Sequence, residues 1–134
     1  MTAPFDDLDP FDLPGWLGTE EVTWAAEGGV RGEARVPGSL RGPDPTQRHA
    51  CDLLAVDLAY PTPVAPDVVR VRAHQAWQHH QVLLLDQEAR LVLAVPGTGF
   101  TADVVLEALA RLALAVGADA GRYAVHLQIG RDRR

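Results

Sequence analysis

Residues 82–95, VLLLDQEARLVLAV, place the tightest limit on what this chain can become. The runs VLLLD and RLVLAV flank a short polar turn, QEA, and read as the two strands of a hairpin. Strand side chains alternate between faces, so strands that are apolar throughout need cover on both sides. The hairpin must sit centrally in a sheet, and the rest of the chain must supply two covering layers.

One layer is legible. Thr101 suits a helix N-cap, Asp103 complements the dipole of the first turn, and an apolar helix runs to Val116 with Gly117 as its C-terminal stop. Its charged residues past the first turn, Glu107 and Arg111, are spaced i, i+4 and mark a narrow solvated stripe flanked by Leu106 and Leu114.

Other strands show one wet face. Val22, Trp24 and Ala26 alternate with polar or small residues, and so do Val30, Gly32, Ala34 and Val36. Gly28-Gly29 between them can form a two-residue turn. Residues 37–45, PGSLRGPDP, have loop composition. The last strand alternates Tyr123, Val125, Leu127 and Ile129 with Ala124, His126 and Gln128.

The middle of the chain fits two patterns. Thr46 can cap a helix to about Ala59 with Cys51, Leu54, Ala55 and Leu58 on one stripe, although DLLAVDLAY also reads as a strand. VVRVRAH alternates Val69, Val71 and Ala73 with Arg70, Arg72 and His74, although Val69, Ala73, Ala76 and Trp77 would also share one side of a helix. Helix then strand is the preferred reading. The resulting order, β-β-α-β-β-β-α-β, predicts an α+β domain over residues 19–130, with a mostly antiparallel sheet and two helices packed on one face.

Residues 1–18, MTAPFDDLDPFDLPGWLG, form a different unit. Three prolines oppose regular structure, and acids alternate with Phe5, Leu8, Phe11, Leu13 and Trp16. This acidic-aromatic arm is expected to bind a partner, or to lie across the open face of the central hairpin in its own chain or in a second copy. Residues 131–134 make a polar tail.

At 134 residues the chain can bury roughly two thirds of its unfolded surface as a single domain. A lone cysteine, Cys51, excludes an internal disulfide and a multi-cysteine zinc site. The start lacks a secretory pattern and no segment is apolar for long enough to span a membrane, so a cytoplasmic protein is expected. Net charge is −6, and the six acids before Val22 account for it, leaving twelve acids against twelve arginines. The chain has no Lys or Asn and a single Ile, a bias that a GC-rich coding sequence produces by itself, so its arginines are no nucleic-acid signal. Nucleic acid is not expected as a partner, since Arg122, Arg131, Arg133 and Arg134 make only a small patch.

The chemistry-bearing residues concentrate in HQAWQHHQ, where His74, His79 and His80 surround Trp77. Metal binding needs three or four converging ligands, and adjacent His79 and His80 point apart in both helix and strand. No metal, cofactor or catalytic residue is therefore assigned. His74, Trp77, His79, His80 and His126 remain possible ligand-binding residues, and Asp57 is a possible acid or base if buried. PGTGFTAD lacks the lysine of a phosphate loop and reads as a capped turn, while GxSxG is absent and Ser39 is the only serine. The reading that follows is a non-enzymatic interaction or regulatory domain acting through self-association or a protein partner. The alternative is a small metal- or ligand-binding enzyme that uses the His74–His80 region.

Overall fold

The computed structural model describes residues 4–27, 34–57 and 65–126. The Gly28-Gly29 turn, the last strand beyond His126 and the tail 131–134 fall outside them. In chain order the elements are β1 (Asp6–Asp7), a 3-10 turn (Pro10–Asp12), α1 (Trp16–Thr19), β2 (Val22–Ala26), β3 (Arg35–Val36), β4 (Gly38–Arg41) and β5 (Arg48–Ala55). There follow α2 (Asp67–Gln78), β6 (Leu83–Gln87), β7 (Arg90–Val95), α3 (Ala102–Ala115), a second 3-10 turn (Ala120–Arg122) and β8 (Tyr123–His126). The strands form one mixed sheet in the order β1-β6-β7-β5-β4-β2-β8, with β3 pairing β5 beside β4, which makes this an α+β protein. Among the described residues β5 with β7 and β2 with β8 run parallel, and the other pairings are antiparallel.

The expected central hairpin is present. Leu84 pairs with Leu93 and Leu85 with Val92, and β7 is flanked by β5 on its other side. Its turn puts Glu88 and Ala89 at φ of 56° and 64°, the left-handed pair that a two-residue hairpin turn requires.

Several elements depart from expectation. Val22–Ala26 pairs with β4, which lies inside the 37–45 stretch read as a loop, whereas the described end of the 30–36 stretch, β3, pairs with β5. The arm, read as opposing regular structure, carries β1 and α1. The helix expected over 46–59 is strand β5, and the strand expected from Val69 is helix α2. In β5, Cys51, Leu53 and Ala55 enter one core while Asp52 and Leu54 are buried on the other face, so a strand buried on both sides shows no alternation in sequence. Thr46 does not cap a helix; its backbone N–H and hydroxyl both donate to Asp44 Oδ1 at 2.9 Å, closing the turn before β5. In α2 the decisive residue is Val71, 44% exposed while Val69 and Ala73 are buried and Ala76 packs beside them. That is a period of 3.6, not 2.

The two helices therefore do not share a face. Leu91, Leu93 and Val95 of β7 join Val105, Leu109 and Leu112 of α3 in one core, whereas Val92 and Ala94 join Val69 and Ala73 of α2 in the other. Alternate residues of one strand point to opposite faces, so α3 and α2 lie on opposite sides of the sheet. The second face of the hairpin is covered by α2, with Phe5 of the arm at its margin. Leu13 and Leu17 are buried in the α3-side core, against which Leu8 and Trp16 pack. Trp24 fills the centre of that core; its indole N–H donates to the Cys51 carbonyl at 2.9 Å, and Gly38 lies so close that a Cβ there would stand 2.5 Å from the ring.

Candidate functional site

β5 and β7 run parallel and end side by side, and in parallel α/β sheets such strand ends commonly receive ligands. The chain continues the ladder past the strands: Asp57 N–H donates to the Gly97 carbonyl at 2.8 Å, and Gly97 N–H donates to Asp57 Oδ2 at 2.9 Å. Gly97 adopts φ of 133°, outside the range open to other residues, which lets the β7–α3 turn face the carboxylate. From α2, His74 brings Nε2 within 2.9 Å of both Asp57 oxygens. Both side chains are partly exposed.

A carboxylate on one ring nitrogen fixes the tautomer and leaves the other, Nδ1, as a proton acceptor. The pair can thus hold or move a proton, or orient a polar ligand at the end of the sheet. Among the described residues no three His, Cys, Asp or Glu side chains are grouped to hold a metal ion.

The other residues singled out from sequence are dispersed. Trp77 lies beneath the Arg111 guanidinium, 3.7 Å from the ring centroid, and its carbonyl accepts from Arg111 Nη1 at 2.8 Å. His79 is the C-cap of α2, and His80 follows it at φ of 60°. The His80 N–H donates to the Trp77 carbonyl and the Gln81 N–H to the Ala76 carbonyl, which is the Schellman arrangement that ends a helix. The histidine cluster of the sequence is thus mostly a helix terminus. His126 stands exposed on β8, at the far edge of the sheet.

Arg111, which the sequence places on a solvated stripe, is only 9% exposed. It also bonds the Gln81 carbonyl at 3.1 Å and pairs with Glu107, so α3 supplies a cation to the C-terminal end of α2.

One polar cluster gave no sequence signal. Asp52, 2% exposed, accepts from Arg35 Nη2 at 2.8 Å and Arg90 Nη2 at 2.7 Å, and from the Gly38 N–H. Its hydrogen bonds hold the Arg90 guanidinium pKa above the ordinary value, and the Glu27 charge adds to this. A buried carboxylate between two arginines has its charge compensated within the fold. Burial pushes the Cys51 thiol up, and holds the His49 imidazole below its ordinary value against the opposing charge of Asp86. Burial also raises the Tyr123 phenol to about 12 while its O–H donates to the Leu17 carbonyl at 2.6 Å, tying β8 to α1.

The second candidate surface is made by the arm. A groove of about 640 Å³ runs between it, the start of β6 and the end of α3, bordered by Leu8, Pro10, Val82, Leu84, Arg111 and Leu114. Beside Pro10, Phe11 stands 95% exposed on the 3-10 turn, and Leu114 is 67% exposed. The turn is held in place: the Phe11 N–H donates to Asp9 Oδ1 at 3.0 Å and the Leu13 N–H to the Pro10 carbonyl at 3.1 Å. Phe5, Leu8, Leu13 and Trp16, expected with Phe11 to meet a partner or to cover the sheet of this chain or a second copy, all pack on this chain's own cores. No helix among the described residues is long and apolar enough to cross a membrane. Comparison with family models, with curated proteins and with solved structures finds no match.

Proposed function

We propose that this chain is a small, non-enzymatic interaction domain that binds a protein partner or its own copy through the arm and the groove beside α3. Phe11 carries this reading. A phenyl ring left in water gains nothing for the fold, yet it is presented on a capped, hydrogen-bonded turn next to a groove lined by both apolar side chains and the charged Asp7, Asp9, Arg72 and Arg111. The turn is already held by hydrogen bonds, so binding through it spares the cost of ordering the backbone, and large aromatics in such positions are common energetic anchors. Leu114 extends the same apolar surface from α3.

The test is sedimentation of the full chain and of its Phe11→Ser variant over a range of concentrations, with and without cell extract. The reading expects the wild type to sediment as a dimer or a defined complex and the variant to shift toward monomer. Two monomers that retain no partner would contradict it.

A second reading is favoured by the His74–Asp57–Gly97 arrangement: a small ligand-binding protein or enzyme acting at the ends of β5 and β7. It expects thermal shifts with small anions or metals that disappear in His74→Gln, and a flat response in both proteins would remove its support.

A further inference from the structure

Among the described residues the arm pairs with the outer edge of β6 at two positions, Asp6 opposite Asp86 and Asp7 opposite Leu85, followed by the Leu8 N–H donating to the Leu84 carbonyl at 3.2 Å. Directly opposed residues of an antiparallel pair turn their side chains to the same face, so Asp6 and Asp86 occupy facing positions on one side of the sheet. Like charges at such a position weaken the pairing. What holds the arm lies to either side. Phe5 packs against the α2-side core, Leu8 against the α3-side core, and Asp7 Oδ1 meets Arg72 Nη1 at 2.7 Å in an exposed ion pair. The groove runs along this same stretch, between the arm residues Asp7 to Pro10 and Val82 to Leu84, so the arm underfills the edge it covers.

We infer that the outer edge of β6 is a strand-addition site for an extended segment of another protein, one carrying Lys or Arg opposite Asp86 with apolar residues to either side. The arm is its resident competitor. This deepens the interaction reading above and rests on it. Strand addition takes affinity from main-chain hydrogen bonds and specificity from alternate side chains. A basic residue opposite Asp86 replaces a repulsion with an attraction, and a larger side chain where Leu8 now sits fills the groove. The arm of a second copy would bring the same aspartate to Asp86, so the charge pattern selects against arm exchange. Six acids and no basic residue before Val22 also favour the approach of a basic segment.

The test uses full-length protein carrying Phe5→Ser, which loosens the outer end of the arm while Leu13 and Leu17 keep the remainder in place. Two labelled peptides are titrated against it: residues 4–12 of this chain, and the same peptide with D6K. The inference expects the D6K peptide to bind at least about threefold tighter, and the preference to reverse when the protein also carries Asp86→Lys. A second measurement needs no peptide. Leu84 turns its backbone groups to the arm, and alternation does the same for Asp86, so in the otherwise wild-type chain Asp6→Lys should slow hydrogen exchange at both amides by about threefold. Equal affinity for both peptides, or binding that protects residues away from β6, would overturn the inference. A wild-type chain that dimerises or holds a partner while the Leu84 and Asp86 amides exchange at their free rates would overturn the edge site and leave the interaction reading standing. A chain that stays monomeric and without a partner would overturn that reading, whereas peptide preference decides the edge.

Discussion

Helix α3 meets the sheet with Val105, Leu109 and Leu112, all buried, while α2 meets the opposite face with Val69 and Ala73 and little other bulk. α3 begins on Thr101, whose side chain accepts from the Val104 N–H at 3.2 Å. α2 begins after Pro66 with no side-chain cap among the described residues. What α2 lacks in apolar contact it recovers through polar ties from its exposed side: His74 to Asp57, Arg72 to Asp7, and Arg111 reaching over from α3 to the carbonyls of Trp77 and Gln81. One helix is held by burial and the other by several bonds to different parts of the chain. Those parts are the arm, the ends of β5 and β7, and α3, so both candidate sites border α2.

The difference in bulk gives the largest expected effect. Leu109→Ala should cost about 3 kcal/mol by urea unfolding and Val69→Ala about 2 kcal/mol, because the leucine leaves the larger cavity. The reverse order would break the comparison. Arg111→Met comes next, at about 2 kcal/mol: it keeps the apolar stem over Trp77 but removes the donors to two carbonyls at the end of α2. Tryptophan fluorescence should report the loss around Trp77, with α3 itself still formed by circular dichroism.

The smallest effect sharpens the contrast between the two helix ends. Both close with the same pair of bonds, but the left-handed residue is Gly117 at the end of α3 and His80 at the end of α2. His80→Gly should therefore stabilise the protein by up to about 1 kcal/mol, and Gly117→Ala should destabilise it by about the same amount, read as opposite shifts in melting temperature. Loss of stability in both variants would mean that His80 has a bonding role beyond the turn.

The contrast also explains what could be read from the sequence. α3 and the β6–β7 hairpin were legible because cap, charge pair, stop and apolar run agree with one another over residues 82–117. β5 was not, since Cys51 to Ala55 are apolar enough to satisfy either period, and pairing with β7 and with β3 and β4 decides between them. VVRVRAH satisfies alternation as well as a helical stripe, and as a strand it leaves the second face of the hairpin without a covering helix. The arm does not supply that cover, since it lies mainly along the β6 edge and in the α3-side core. The approach of His74 to Asp57 joins residues 17 apart on different elements, and no local pattern announces it. Arg35 and Arg90 converge on Asp52 in the same way, from positions that look solvated in one dimension.

The central claim is that α2 and α3 stand on opposite faces of one sheet. Spin labels on Val71→Cys and Leu106→Cys, both exposed in the wild type, test it by pulsed dipolar distance measurement. Cys51 is buried with its thiol pKa raised, so native labelling leaves it unmodified. Helices packed on either side of a sheet have axes ~20 Å apart, and outward labels lie farther still, whereas neighbours on one face are ~10 Å apart. A single narrow distance distribution beyond about 25 Å is the predicted result, and one centred below about 20 Å would contradict it.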